Sequence, residues 1–270
     1  MMTSLLKTEW LKLKKYWAFW LMTGIVALTY PGINYMMYTE AYKNNLDDKR
    51  MGPILRMIPN PFTFPEVWHT VAFISSFFLF LPAIVVIMFI TNEYSYKTHR
   101  QNIIDGWSRD QFLLAKMIDV LIVSLVVTVL YVVVAFILGN VNTVKTDVNT
   151  WSDTRYIGLF FLLNFSQLSI AFLIAFLVRK AFVALGLFVF YFFPLEPLLV
   201  ALSRERANDA GRYLPLEISD RMIPIPRMFV SNEKHWESLV AQANLHIIYS
   251  ILLTTLIWAI CFWINKRRNL

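Results

Sequence analysis

The residues best equipped for chemistry crowd into one short segment, 92–111, where Glu93, Lys97, Arg100, Asp105 and Arg109 alternate with Tyr94, Tyr96 and Trp107. Acids, guanidinium groups and aromatic rings mixed in this way are what a protein docking surface is made from. The same residue types also solvate an ordinary polar turn, so composition leaves both readings open. Gly106 breaks the segment and Ser108 restarts it, with Gln111 three residues on. That spacing is the capping box, which predicts a helix beginning there. A second group of polar residues interrupts apolar stretches. Glu196 stands in Phe193-Pro194-Leu195-Glu196-Pro197, where the prolines predict a kink or break, and it either lines an outer gate or pairs with an arginine such as Arg204. Asn164 and Gln167 share a helix face and serve as interhelical glue or path lining. Asp119 falls one turn after Lys116 and is expected to pair with it. His246 is placed close to outer water, with no role.

Catalytic and nucleotide-binding patterns are missing. The eight glycines include no G-x-x-x-x-G-K-[ST] loop to cradle a phosphate. His69, His99, His235 and His246 are scattered, without H-E-x-x-H or a Cys/His cluster at metal spacing, and no G-x-S-x-G elbow is present. No cofactor is expected in this chain.

The elements that must position these side chains are membrane helices. The chain is 57% hydrophobic and 16% charged, with mean hydropathy +0.53, whereas soluble domains carry about 25% charge. A single cysteine, Cys261, excludes a disulfide framework. Six apolar runs reach the roughly 20 residues that a bilayer core demands: 17–38, 68–91, 112–139, 156–178, 181–202 and 243–264. The expected fold is all-α, a single six-span permease-like domain over 1–270, with no room for a separate soluble enzyme. Residues 1–16 read as an amphipathic interfacial helix, with Leu6, Trp10, Leu13, Trp17 and Trp20 on one stripe. The segment 203–242 is an outer stretch whose prolines leave re-entry into the membrane open. No cleavable signal peptide is expected, because the first run is long and lacks a cleavage site.

Charge sets the orientation. With both termini inside, the 44 inner residues hold 12 Lys and Arg, and the 85 outer residues hold the same number. The doubled inner density predicts an N-in, C-in topology and makes the net charge of +7 a matter of topology, with no nucleic acid implied.

The run Glu93, Lys97-Thr98, Arg100-Gln101-Asn102-Ile103-Ile104-Asp105-Gly106-Trp107-Ser108-Arg109 and Lys116 resembles the intracellular loop of ABC-2 type permeases. These are the membrane subunits of exporters driven by a separate ATP-binding cassette protein. The amphipathic start, Asn60-Pro61-Phe62 with Pro65 and Trp68 before the second span, and the Pro-rich outer segment before the sixth agree with it. Lys97 departs, standing where many members have Gly. The resemblance implies two permease copies, usually identical, with two cassette ATPases beneath that hold ATP and Mg. It further implies a coupling helix in 92–111, with transmission through Glu93, Thr98, Arg100, Ser108 and Arg109, and with Tyr94 and Gly106 in the same loop. Glu93 with Arg100 or Arg109 also fits simple bracing of the flanking helices. A multi-pass protein of a bacterial cell membrane, surrounded by lipid, is the expected setting. An ion-coupled carrier or channel is the alternative, and the exported substrate is not legible.

Overall fold

A computed structural model describes residues 2–50, 52–96, 106–143, 149–205, 209–230 and 232–267, and among these every regular element is helical. The helices are α1 (Met2–Lys15), α2 (Trp17–Met36), α3 (Gly52–Met57), α4 (Val67–Ser76), α5 (Phe80–Ser95), α6 (Arg109–Asn142), α7 (Arg155–Val178), α8 (Ala181–Phe190), α9 (Glu196–Glu205), α10 (Pro215–Asp220) and α11 (Glu233–Arg267).

Four helices are long and apolar enough to cross a membrane: α6, α7, the continuous α8–α9 rod (Ala181–Glu205) and α11. The pair α4 and α5, bent by 51°, makes a fifth if counted as one span. The six expected spans therefore come out as four or five by length and composition. The remaining run, α2, has 20 residues, but Trp17, Trp20, Tyr30, Pro31, Asn34 and Tyr35 dilute its hydropathy.

Prolines act differently in the two interrupted spans. Pro82 lies in the first turn of α5, where its missing N–H costs nothing, but its ring would collide with the carbonyl four residues earlier in a continuous helix. The expected unbroken span 68–91 accordingly stops at Ser76 and restarts at Phe80. At Pro194 and Pro197 the chain stays helical and does not break. A π-helical turn over Tyr191–Leu195 takes up the extra residue, and the helix continues to Glu205.

The stripe expected from Leu6 to Trp20 is divided. Tyr16 has extended backbone, φ −83° and ψ 104°, so α1 ends before Trp17. Leu13 is fully buried, while Trp10, Trp17 and Trp20 are exposed. Trp20 Nε1 donates to the Lys14 carbonyl at 2.8 Å and holds the corner.

Helix α7 occupies the centre, packed against α4, α5, α6, α8, α10 and α11. Its buried small residues, Ser166, Ser169, Ala171 and Ala175, let neighbouring backbones approach, and Phe160, Phe172 and Phe176 fill the space between. On α6, Gly139 lies against the ring of Phe64, where a Cβ would overlap it.

Candidate functional site

At the end of the bundle that carries α1, helix α6 starts as its sequence predicts. Ser108 Oγ accepts from Gln111 N at 3.2 Å, and Gln111 Oε1 accepts from Ser108 N at 2.8 Å. Gly106 just before it has φ +96°, a conformation that other residues rarely tolerate. This start fixes where the second and third turns of α6 point, and there Lys116 and Asp119 face inward, 1% and 2% exposed.

Lys116 is the hub of the site. Its Nζ donates to Glu9 Oε2 on α1 at 2.6 Å, to Glu93 Oε1 on α5 at 2.7 Å and to Asp119 Oδ2 at 3.0 Å. An ammonium group has three protons, and all three are used. Lys12 adds a second cation at the rim, 2.7 Å from Glu9 Oε1 and 3.4 Å from Glu93 Oε1. The rings of Phe89 and Phe112 lie 4.8 and 5.6 Å from Lys116 Nζ. Burial opposes the charged form of Glu9, but the Lys116 and Lys12 ammoniums and a hydrogen bond with Asp119 bring its carboxyl down to about 2.

Further contacts tie the two ends of the 92–111 segment to the rest of the bundle. Lys12 lies over the Trp107 ring at 5.6 Å, and Asn92 Nδ2 donates to Tyr16 Oη at 3.0 Å. Arg179, at the end of α7, lies over Tyr94 at 4.7 Å. From α11, Asn265 Nδ2 donates to the Arg109 carbonyl at 2.8 Å, and Lys266 stands 3.9 Å from Asp110.

Of the residues expected to transmit, Glu93, Tyr94, Gly106, Ser108 and Arg109 thus gather at this end, while Thr98 and Arg100 lie outside the described residues. The Lys116–Asp119 pair forms as expected. The ion pairs of Glu93 run to Lys116 and Lys12, a linkage that the bracing by Arg100 or Arg109 did not anticipate. Sequence reasoning missed Glu9, which is fully buried. One signal was available: Glu9 is the only acid among the first 39 residues, in a helix otherwise charged by lysines.

The other polar residues lie elsewhere. Glu196 is 2% exposed and accepts from the Glu217 backbone N–H at 2.7 Å. The expected pairing with Arg204 is corrected, because Arg204 reaches Glu217 instead, at 3.3 Å. Asn164 Nδ2 donates to the Ser124 carbonyl on α6 at 3.2 Å, and Gln167 Nε2 to Asp220 on α10 at 2.7 Å. Both therefore join helices. His246, placed near outer water, is instead buried at 2% exposure. Among the described residues no group of His, Cys, Asp and Glu is arranged to hold a metal.

No curated protein matches the chain. The profile of the ABC-2 family transporter proteins matches residues 5–195, which runs from α1 through the ion cluster to the π-helical turn before α9. Members of that family are transmembrane components that work with an ATP-binding subunit. With a match over most of its length and several apolar helices long enough to cross a bilayer, this multi-pass membrane protein belongs to the ABC-2 family of transporter proteins.

Proposed function

We propose that the chain is the permease subunit of an ATP-driven exporter, receiving the movement of a separate cassette ATPase through the loop between α5 and α6. In this reading α2 is a sixth span, since its 20 residues cover about 30 Å. Both termini are cytoplasmic, in keeping with the Lys and Arg density of the inner segments, and α1 lies in the inner interface of a bacterial cell membrane. Two copies of the chain form the path and two ATPase subunits, which hold ATP and Mg, lie beneath.

The observation that carries the reading is the buried cluster around Lys116. Glu93 ends the helix that enters the loop, Lys116 lies on the helix that leaves it, and Glu9 joins both to α1. A force on the loop cannot shift one of these helices without separating a buried charge from its partner, a loss of about 3–5 kcal/mol. The three helices therefore move as one body between two packed arrangements. The carrier or channel alternative gains nothing from the family match.

The test is co-purification of the detergent-solubilised protein with cassette ATPases of the same cell, comparing wild type with Glu93→Ala/Arg109→Ala. An ATPase that binds wild type, and whose stimulation by the permease weakens in the variant, supports the proposal. If no ATPase associates and the purified protein alone moves ions in liposomes, the carrier reading replaces it.

A further inference from the structure

Asp220 is a carboxylate at an unexpected depth. Gln167 is in the middle of the 24-residue α7, about 18 Å from either end at 1.5 Å per residue. Its Nε2 donates to Asp220 Oδ1 at 2.7 Å and to Ser219 Oγ at 3.3 Å. The C-terminal end of α10, a six-residue helix between two spans, therefore reaches the level of the bilayer centre. The residues around Asp220 are those of an embedded segment. Leu216, Met222 and Ile223 join the same apolar core as Trp68 of α4 and Phe160 of α7, and His69 on α4 is hydrogen-bonded to the Pro224 carbonyl at 2.6 Å.

Asp220 itself is exposed on the surface of the single chain. The acids near it have partners of their own: Glu217 bonds to Arg204 and Arg221, and one oxygen of Glu196 accepts the Glu217 N–H. Asp220 forms no ion pair among the described residues, and the adjacent Arg221 is engaged by Asp209 and Glu217. Gln167, 1% exposed, brings a second polar atom to the same place, since its Oε1 has no hydrogen-bond partner. A carboxylate exposed at the centre of a bilayer is costly against lipid, so this surface is covered by a second copy or faces water or cargo.

We propose that Asp220, held by Gln167, is a binding site in the transport path for a cationic group, such as the amine or quaternary ammonium of an amphipathic cargo. The role of the site in transport rests on the exporter reading, but cation binding needs no ATPase and is measurable on the permease alone.

The experiment measures equilibrium binding of tetraphenylphosphonium to the full-length protein in nanodiscs, with tetraphenylborate as an anion of the same shape. Asp220→Asn preserves size and the acceptor for Gln167, so the fold is expected to survive. The expected result is saturable cation binding that weakens at least tenfold in Asp220→Asn, with anion partitioning unchanged. A second variant, Asp220→Cys, reads accessibility, because the one native thiol, Cys261, is fully buried. The introduced thiol is expected to react with membrane-impermeant thiosulfonates, cationic or anionic, added from water. Equal cation binding by wild type and Asp220→Asn overturns the proposal. So does an Asp220→Cys variant whose new thiol resists both reagents and instead oxidises to a disulfide between two copies, which would place the residue at a subunit contact. Loss of ATPase co-purification with cation binding intact would sink the exporter reading and leave the site standing.

Discussion

The two ends of the bundle handle buried acids in opposite ways. At the Lys116 end, three acids from three helices meet one buried ammonium, with Lys12 at the rim, and the Glu9 to Lys116 bond joins residues 107 apart in sequence. At the Glu196 end, Glu196 accepts a backbone N–H only 21 residues away, while the arginines around it remain in partly or largely exposed pairs. A charge bound to another charge in a dry site tolerates little displacement, whereas a carboxylate on a backbone amide caps a local turn. The Lys116 end is thus built to keep distant elements in register, and the Glu196 end to shape one segment.

Removing the hub should produce the largest effect. Lys116→Met leaves Glu9, Glu93 and Asp119 buried without their shared cation, and destabilisation of about 3–5 kcal/mol is expected. Thermal unfolding in detergent measures it. A change indistinguishable from that of a surface substitution would erase the contrast between the two ends.

Glu9→Gln should cost less, about 1.5–3 kcal/mol, because a hydrogen bond remains where a charge-assisted one stood. This variant also has a pH signature. The Glu9 carboxyl is depressed to about 2 in the folded protein, so its contribution is complete above the ordinary carboxylate range, near pH 4, and disappears as pH falls through that range toward 2. The difference in unfolding midpoint between wild type and Glu9→Gln should be constant from about pH 8 to pH 5 and narrow only below about pH 4. A difference that shrinks already near neutrality would show that Glu9 is not held as a charged group.

The two ends also differed in how much the sequence disclosed. The capping box at Ser108, the apolar runs that became α6, α7, α8–α9 and α11, and the Lys116–Asp119 pair are set by neighbours in the chain, and all were readable. Glu9 was not, because its surroundings come from α5 and α6, and nothing in α1 says which face will be covered. The Arg204 pairing failed for a related reason. Proximity in sequence made Arg204 the obvious partner, but the return of α10 put a backbone amide closer to Glu196. The π-helical turn at Pro194 was hidden because a kink and an inserted residue solve the same steric conflict.

Substitutions at the Glu196 end should rank below these. Glu196→Ala deprives the Glu217 N–H of its acceptor, and a loss of about 1–2 kcal/mol is expected, the range of a helix cap. Its effect should be confined to the segment around α10, visible as faster amide exchange there with α1 unchanged. Exchange that rises equally in α1 would mean that the two ends are coupled more tightly than their separate networks imply.

The smallest effect is expected at Arg204. Its guanidinium is largely exposed, and it reaches Glu217 at 3.3 Å, while Glu217 is also held by Arg221 at 2.7 Å. Exposed pairs contribute about 0–1 kcal/mol, because solvent screens the attraction and ordering the side chain offsets part of it. Arg204→Ala should therefore lie within about 1 kcal/mol of wild type, and the shift should shrink further in high salt. A loss as large as that of Glu9→Gln, insensitive to salt, would mean that Arg204 is as dry as Lys116 in the assembled protein. The surface around Glu217 would then be covered by a second copy, and the contrast between the two ends would hold only for the isolated chain.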